Sequence, residues 1–269
     1  MLKLFVFKEV RGLTKKDLLL QLEKLGAPKN SVVIVHSSLK AIGEVEGGAE
    51  TILDALIEYF ADSGLLCIPT HTWDTRVLDF NNVRTCIGVL PTVAAKRAGG
   101  VRSLNPTHSM VVFGKGAEEF VECEKTVDSP VSPNGCYSEL YKRNGFILLI
   151  GVGQEKNTFI HCVEEILQIK NRISESCEKT KIIYPDGREE IRYIKVFLED
   201  GVPDASNFFG KFEKAFRYHG CIKDGTLGNA KVQLCDAKKI KEVIELIYSR
   251  NDGSELLGDF APLKTKLYE

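Results

Sequence analysis

No stretch of this chain approaches a membrane span: its longest unbroken apolar run is Phe146 to Ile150, where a spanning helix takes about 20 residues. Neither sign of charge dominates. The 36 basic and 37 acidic residues leave a formal net charge of −1, so the basic excess that marks a nucleic-acid binder is missing. An export signal is not recognisable either, because Met1 to Val10 is broken by Lys3, Lys8 and Glu9. A cytoplasmic protein without nucleic-acid or membrane partners is expected. The eight cysteines, at 67, 86, 123, 136, 162, 177, 221 and 235, include no CxxC pair and no zinc-ligand spacing. Free thiols are expected in a reducing compartment, and no metal. Two nucleotide fingerprints, GxxxxGK[ST] and GxGxxG, are also absent, which excludes a P-loop and a Rossmann dinucleotide site.

What is present reads as an ordinary globule. Hydrophobic residues are 43% and charged residues 27% of 269, enough to bury a large core without staples. No repeat or linker interrupts the chain, so one domain over residues 1–269 is expected. Thr14 and Asp17 form a capping box before Leu18, Leu22 and Leu25. Short, largely apolar runs at Ser31–Val35, Leu65–Ile68, Met110–Phe113 and Phe146–Ile150 read as buried strands. Helical patterns lie between them, at 49–60, 90–98, 117–123, 138–143 and 157–169. Strands at 181–184 and 191–198 around Pro185-Asp186-Gly187, helices at 205–217 and 237–249, and a strand at 230–234 complete the pattern. The tail from Asn251 is expected at the surface. The rhythm predicts an α/β fold: a central mixed sheet covered by helices on both faces, with a smaller antiparallel element in the C-terminal half.

In such sheets ligands collect at the carboxyl ends of strands, and the polar clusters fall there. His36-Ser37-Ser38-Leu39 ends the first strand and precedes Gly43, Gly47 and Gly48; hydroxyls and exposed N–H groups there suit a phosphate. Thr70-His71-Thr72-Trp73-Asp74 ends the second, where the Trp73 ring can stack on a sugar while Asp74 attracts an ammonium. Arg102-Ser103 and His108-Ser109 stand in one polar loop, and Arg102 can neutralise a phosphate. After Phe146–Ile150 comes Asn157-Thr158-Phe-Ile-His161-Cys-Val-Glu164. Thr158 is placed as the N-cap, with His161 in the first turn and Glu164 on the same face. A carboxylate beside an imidazole fixes its tautomer and supports proton transfer. The same spacing is common on solvated helix faces, and polar turns, solvated loops and core tryptophans are common too.

Taken in order, HSSLKAIGEVEGGAETILDAL, PTHTW, IGVLPTVAAKR, GVRSLNPTHS, the Ser129-Pro130 to Ser138-Glu139-Leu140 stretch and GFILLIGVGQEKNTFIHCVEE resemble the aminoglycoside 3-N-acetyltransferase family. The resemblance runs over 31–169, with a weaker echo at Gly225–Ala230. It implies an α/β fold unrelated to the acetyltransferases with a Q/RxxGxG/A loop, and acetyl-coenzyme A as co-substrate. It implies coenzyme A contacts at His36, Ser37, Ser38, Leu39, Arg102, Ser103, Pro106, His108 and Ser109, and a catalytic region at Asn157, Thr158, His161 and Glu164. Asn105 departs from the family, which commonly has histidine there. Residues 170–230, an elaboration on the acceptor side, show little that matches.

An amine must shed a proton to attack a thioester, so a base is the central requirement. That role falls to His161 oriented by Glu164, with Thr158 or a backbone N–H as oxyanion donor. No thiol is needed as acyl carrier; Cys162, the serious challenger, should face away from the partners of His161. Two acceptors stay open. An aminoglycoside wants acidic residues, and Glu118, Glu119, Glu122 and Glu124 cluster, although such a run is usually solvated. A nucleotide-linked amino sugar wants basic ones, with Lys170, Arg172 and Arg217 available. Other readings are a non-catalytic coenzyme A- or nucleotide-binding module, and a metal-dependent hydrolase using His36, His71, His108 and His161.

Overall fold

The computed structural model describes residues 12–73, 76–82, 85–198, 204–251 and 253–269. Asp74 and the Met1–Val10 segment lie outside the described residues. The chain enters through α1 (Lys15–Leu25), closed by the expected Thr14–Asp17 capping box and by Gly26 at φ +65°. It continues through β1 (Val32–Ser37), α2 (Leu39–Ile42), α3 (Gly48–Phe60), β2 (Leu65–Pro69), β3 (Val77–Asp79), α4 (Val89–Ala94), β4 (Val101–Arg102) and β5 (Met110–Phe113). Then come α5 (Ala117–Val121), α6 (Cys136–Lys142), β6 (Phe146–Ile150) and α7 (Phe159–Ile166). The last third holds β7 (Glu178–Ile183), β8 (Glu189–Ile194), α8 (Glu213–Tyr218), β9 (Ile222–Leu227), β10 (Ala230–Asp236) and α9 (Ala237–Asn251).

Seven strands make the central sheet, in the order β4-β5-β2-β1-β6-β10-β9. β1 runs parallel to β2 and to β6, while β5, β10 and their outer partners are antiparallel to their neighbours. Successive residues of the inner strands go to opposite faces. Val33, Val35, Leu66, Ile68, Leu148 and Ile150 pack under α1 and α3. Val32, Ile34, Leu65, Cys67, Ile147 and Leu149 pack under α6, α7 and α9. Both faces are thus covered, which is why these strands read as unbroken apolar runs. A second sheet, β3-β7-β8, holds the expected hairpin, closed at Gly187 (φ +81°), with β3 added in parallel. Among the described residues no helix is long and apolar enough to cross a membrane.

The parallel core fixes where polar residues gather. The pairings His36–Leu149 and Ser37–Ile150 put the ends of β1 and β6 at one edge of the sheet. Pro69–Met110 brings the end of β2 and the start of β5 to that edge, and Arg102–Val111 adds the end of β4. Gly151 (φ +64°) turns the chain off β6 so tightly that a Cβ there would lie 2.3 Å from the Cβ of Ala41.

Three expectations change. The tail from Asn251 is only partly at the surface: Leu256, Leu263, Leu267 and Tyr268 are buried, and the Tyr268 carbonyl meets His219 Nε2 at 2.5 Å. Helix α7 is shorter than the expected 157–169. It stops at a turn in which Gln168 is left-handed (φ +54°) and the Ile169 N–H reaches back to the Glu164 carbonyl at 3.0 Å. Among the four glutamates read as a solvated run, Glu118, Glu119 and Glu122 are exposed, but Glu124 is buried.

Candidate active site

Helix α7 carries His161 and Glu164 side by side. His161 Nδ1 lies 3.2 Å from Glu164 Oε2, with the two side chains only 10% and 1% exposed. The second carboxylate oxygen, Oε1, accepts from Arg172 Nε at 3.0 Å. The expected cap at Thr158 is not made: Thr158 is itself helical and caps nothing with its side chain. Its side chain interacts with the Tyr137 hydroxyl instead. Gln154 Oε1 accepts from Asn157 Nδ2 at 2.8 Å, which pins the turn into α7 and leaves Asn157 Oδ1 buried without a partner.

A row of rings links the strand ends to the helix. Centroids run from His71 to His108 (4.3 Å), His108 to Phe197 (5.0 Å), Phe197 to His161 (4.7 Å) and His161 to Phe209 (4.6 Å). His71 Nε2 also meets the Tyr137 hydroxyl at 2.8 Å. Burial, with neighbouring positive charge as the lesser cause, depresses three of these imidazoles. His36 falls to about 4, His108 to about 3 and His71 well below 6.5. All three are neutral at pH 7.

Arg102 turns inward at the end of β4. Its Nε and Nη2 donate to Ser109 Oγ at 3.0 and 2.9 Å, and Nη2 also reaches the Thr70 carbonyl at 3.3 Å. Burial lowers the guanidinium to about 10, which keeps it cationic at neutral pH. Its Nη1 has no partner, nor does the buried Nε2 of His36. Ser37, Ser38 and Leu39 stand at the same edge, half-buried, with the Ser38 N–H on the Ile150 carbonyl. Ser103 is fully buried and its Oγ accepts from the Met110 N–H at 3.1 Å. Thr70 is buried, Thr72 Oγ1 donates to the Pro106 carbonyl at 2.5 Å, and Trp73 is 62% exposed with φ +52°.

Two basic residues named for an acceptor phosphate are committed elsewhere. Arg172 is tied to Glu164, and Arg217 bonds Glu213 and Asp224. All eight cysteines are free, and Cys162 is fully buried on the core-facing side of α7. Among the described residues no three His, Cys, Asp or Glu side chains form a group that could hold a metal ion.

The sequence model described as aminoglycoside 3-N-acetyltransferase matches residues 34–248. The chain belongs to the aminoglycoside 3-N-acetyltransferase family. It is an acyltransferase. Aminoglycoside N(3)-acetyltransferase VII of Streptomyces paromomycinus is 27% identical over 262 residues, covering 84% of this chain and 88% of that protein. Among solved structures, AAC-IIIb in a binary complex with CoASH superposes with a TM-score of 0.75 at 23% identity, covering 88% of this chain and 97% of that one. Sisomicin-bound AAC-VIa superposes with a TM-score of 0.76 at 21% identity, covering 89% and 99%. The N-acetyltransferase architecture thus spans most of this chain.

Sequence reasoning brought His161 and Glu164 together, and His36, Arg102, His108 and Ser109 to one edge. Tyr137, Phe197, Phe209 and the Glu164 contact of Arg172 it missed. The three aromatic residues come from distant parts of the chain, and Arg172 is returned to Glu164 by a turn that no local pattern marks.

Proposed function

We propose that this acyltransferase moves an acetyl group from acetyl-coenzyme A to an amine of an aminoglycoside, with His161 as general base oriented by Glu164. The observation that carries the reading is the His161–Glu164 contact, shielded from water at the edge where five strand ends converge. Acetyl-coenzyme A supplies an activated thioester. The unpartnered Nη1 of Arg102 and Nε2 of His36 fit such a ligand, because each is a buried polar atom that needs a partner.

In this reading Glu164 accepts the Nδ1 proton of His161, which leaves Nε2 free to take the proton of the attacking amine. The amine nitrogen bonds to the acetyl carbon as the carbon–sulfur bond breaks, and His161 returns its proton to the departing sulfur. The Thr158 hydroxyl, at the start of α7, is the candidate donor to the developing oxyanion. The buried Cys162 takes no part. With Arg172 and Arg217 already paired, no observation favours a nucleotide-linked acceptor.

The test is a coenzyme A release assay on two panels, aminoglycosides and nucleotide-linked amino sugars. Thiol release with the first panel alone is expected; release only with the second would overturn the acceptor assignment.

A further inference from the structure

We propose that Arg172 is a positioning residue that sets the pH above which the His161–Glu164 pair works as a base, an inference that rests on His161 having that role. Glu164 is almost wholly withdrawn from solvent, and each of its oxygens has one partner: Oε2 the His161 ring, Oε1 the Arg172 guanidinium. Arg172, itself 6% exposed, is anchored on its far side, where Nη2 donates to the Leu256 carbonyl at 2.6 Å. Its own carbonyl accepts from the Leu198 N–H at 3.0 Å, beside the Phe197 ring that packs on His161. Left-handed Gln168 and Asn171 (φ +54° and +57°) reverse the chain after α7 and return Arg172 beneath the carboxylate. Two strained non-glycine residues in so short a span mark a turn held in place by what it delivers.

Arg172 places a cation on one oxygen of a buried carboxylate whose other oxygen faces the ring Nδ1. Without Arg172 the pair loses that neighbouring positive charge and holds its own proton more tightly, whichever of the two residues carries it. The other charges facing the pair do not replace it. His71 and His108 are kept neutral by burial. Lys211, on the 205–212 turn, interacts with both Glu164 and Arg172, but its ammonium bonds the Leu257 carbonyl and answers to Asp259 and Glu255 as well. Lysine at 172 would keep the charge but not the fork that reaches Glu164 and Leu256 together.

The test compares pH profiles of kcat/KM for the full enzyme as wild type, Arg172→Met, Arg172→Gln and Arg172→Lys, alongside an NMR titration of the His161 ring in each free protein. The expected result for Met and Gln is an acid limb moved up by about one to two pH units, with the His161 titration moving in step. At pH 6.5 that reads as about a 10-fold to 100-fold loss that recovers in alkaline buffer. Arg172→Lys is expected to restore the limb while kcat stays reduced. An equal loss at every pH with limb and titration unmoved would leave Arg172 a structural residue and overturn the proposal. Arg172→Gln answers the question if Met does not fold, because the amide still spans part of the gap. Full turnover by His161→Ala would instead sink the base assignment, while the His161 titration would still report whether Arg172 acts on the ring.

Discussion

Asn105 and Glu124 are locked together beneath the polar edge of the sheet, with Asn105 Nδ2 donating to Glu124 Oε2 at 3.2 Å. Glu124 Oε1 accepts the Cys136 N–H at 2.7 Å, so the carboxylate joins the loop before β5 to the start of α6. The Asn105 amide also donates to the Ser129 and Pro130 carbonyls and accepts from the N–H groups of Thr107 and His108. The asparagine thereby holds the loop that presents His108 and Ser109.

Removing Glu124 therefore acts on stability. Glu124→Ala leaves the Cys136 backbone N–H unpaired in the core and removes one of the three acceptors of the Asn105 amide, at a cost of about 1–3 kcal/mol. Exposed Glu118→Ala is expected to stay within about 0.5 kcal/mol of wild type. Urea unfolding of both variants checks the pair, and equal midpoints would mean that the Glu124 contacts contribute nothing.

Acid is expected to weaken the fold well before the carboxylates titrate. His36 and His108 protonate at about 4 and about 3 in the folded chain, below the ordinary 6.5, because burial disfavours the charged ring. As pH falls, the unfolded chain therefore binds these protons first. The stability that the rings contribute is full above about pH 6.5 and drains as pH drops toward 4, at up to about 1.4 kcal/mol per ring for each pH unit. Urea midpoints at pH 7.5 and 5.5 test this. A midpoint unchanged at the lower pH would contradict the burial of these imidazoles.

Much of this architecture was legible in the sequence because β1, β2, β5 and β6 are buried on both faces and so carry largely apolar runs. Strand β9, Ile222–Leu227, was not read: it sits at the sheet edge, mostly exposed, and its Lys223, Asp224 and Gly225 disguise it. The end of α7 was overrun because its left-handed closing residue is Gln168 rather than the glycine that usually signals such a stop. In the site, His161 and Glu164 announced themselves by helical spacing. Phe197, Phe209 and Tyr137 come to the site from distant elements, and only the folded chain brings their rings together. Glu124 was misread because its helix-surface neighbours share its charge but not its burial.

Arg102 offers the most direct check on the cofactor side. Its Nη1 is buried without a partner while Ser109 and Thr70 hold the rest of the guanidinium in place. A charge-assisted bond is worth about 1.5–3 kcal/mol. Arg102→Ala is therefore expected to raise the Michaelis constant for acetyl-coenzyme A by about 10-fold to 100-fold, with kcat little changed. An unaltered constant would deny Arg102 a phosphate role.

Transfer of an acetyl group to an aminoglycoside amine with His161 as the base is checked by following coenzyme A thiol release and product mass together, for wild type and His161→Ala, with and without an aminoglycoside. The wild type is expected to release thiol only when the amine is present, one thiol for each acetyl group gained by the product. His161→Ala, folded as judged by circular dichroism, is expected to lose about 10²–10⁴-fold in kcat, the usual weight of a general base. Turnover by His161→Ala within a few-fold of wild type would remove His161 as the base, and thiol release that ignores the amine would rule out direct transfer to it.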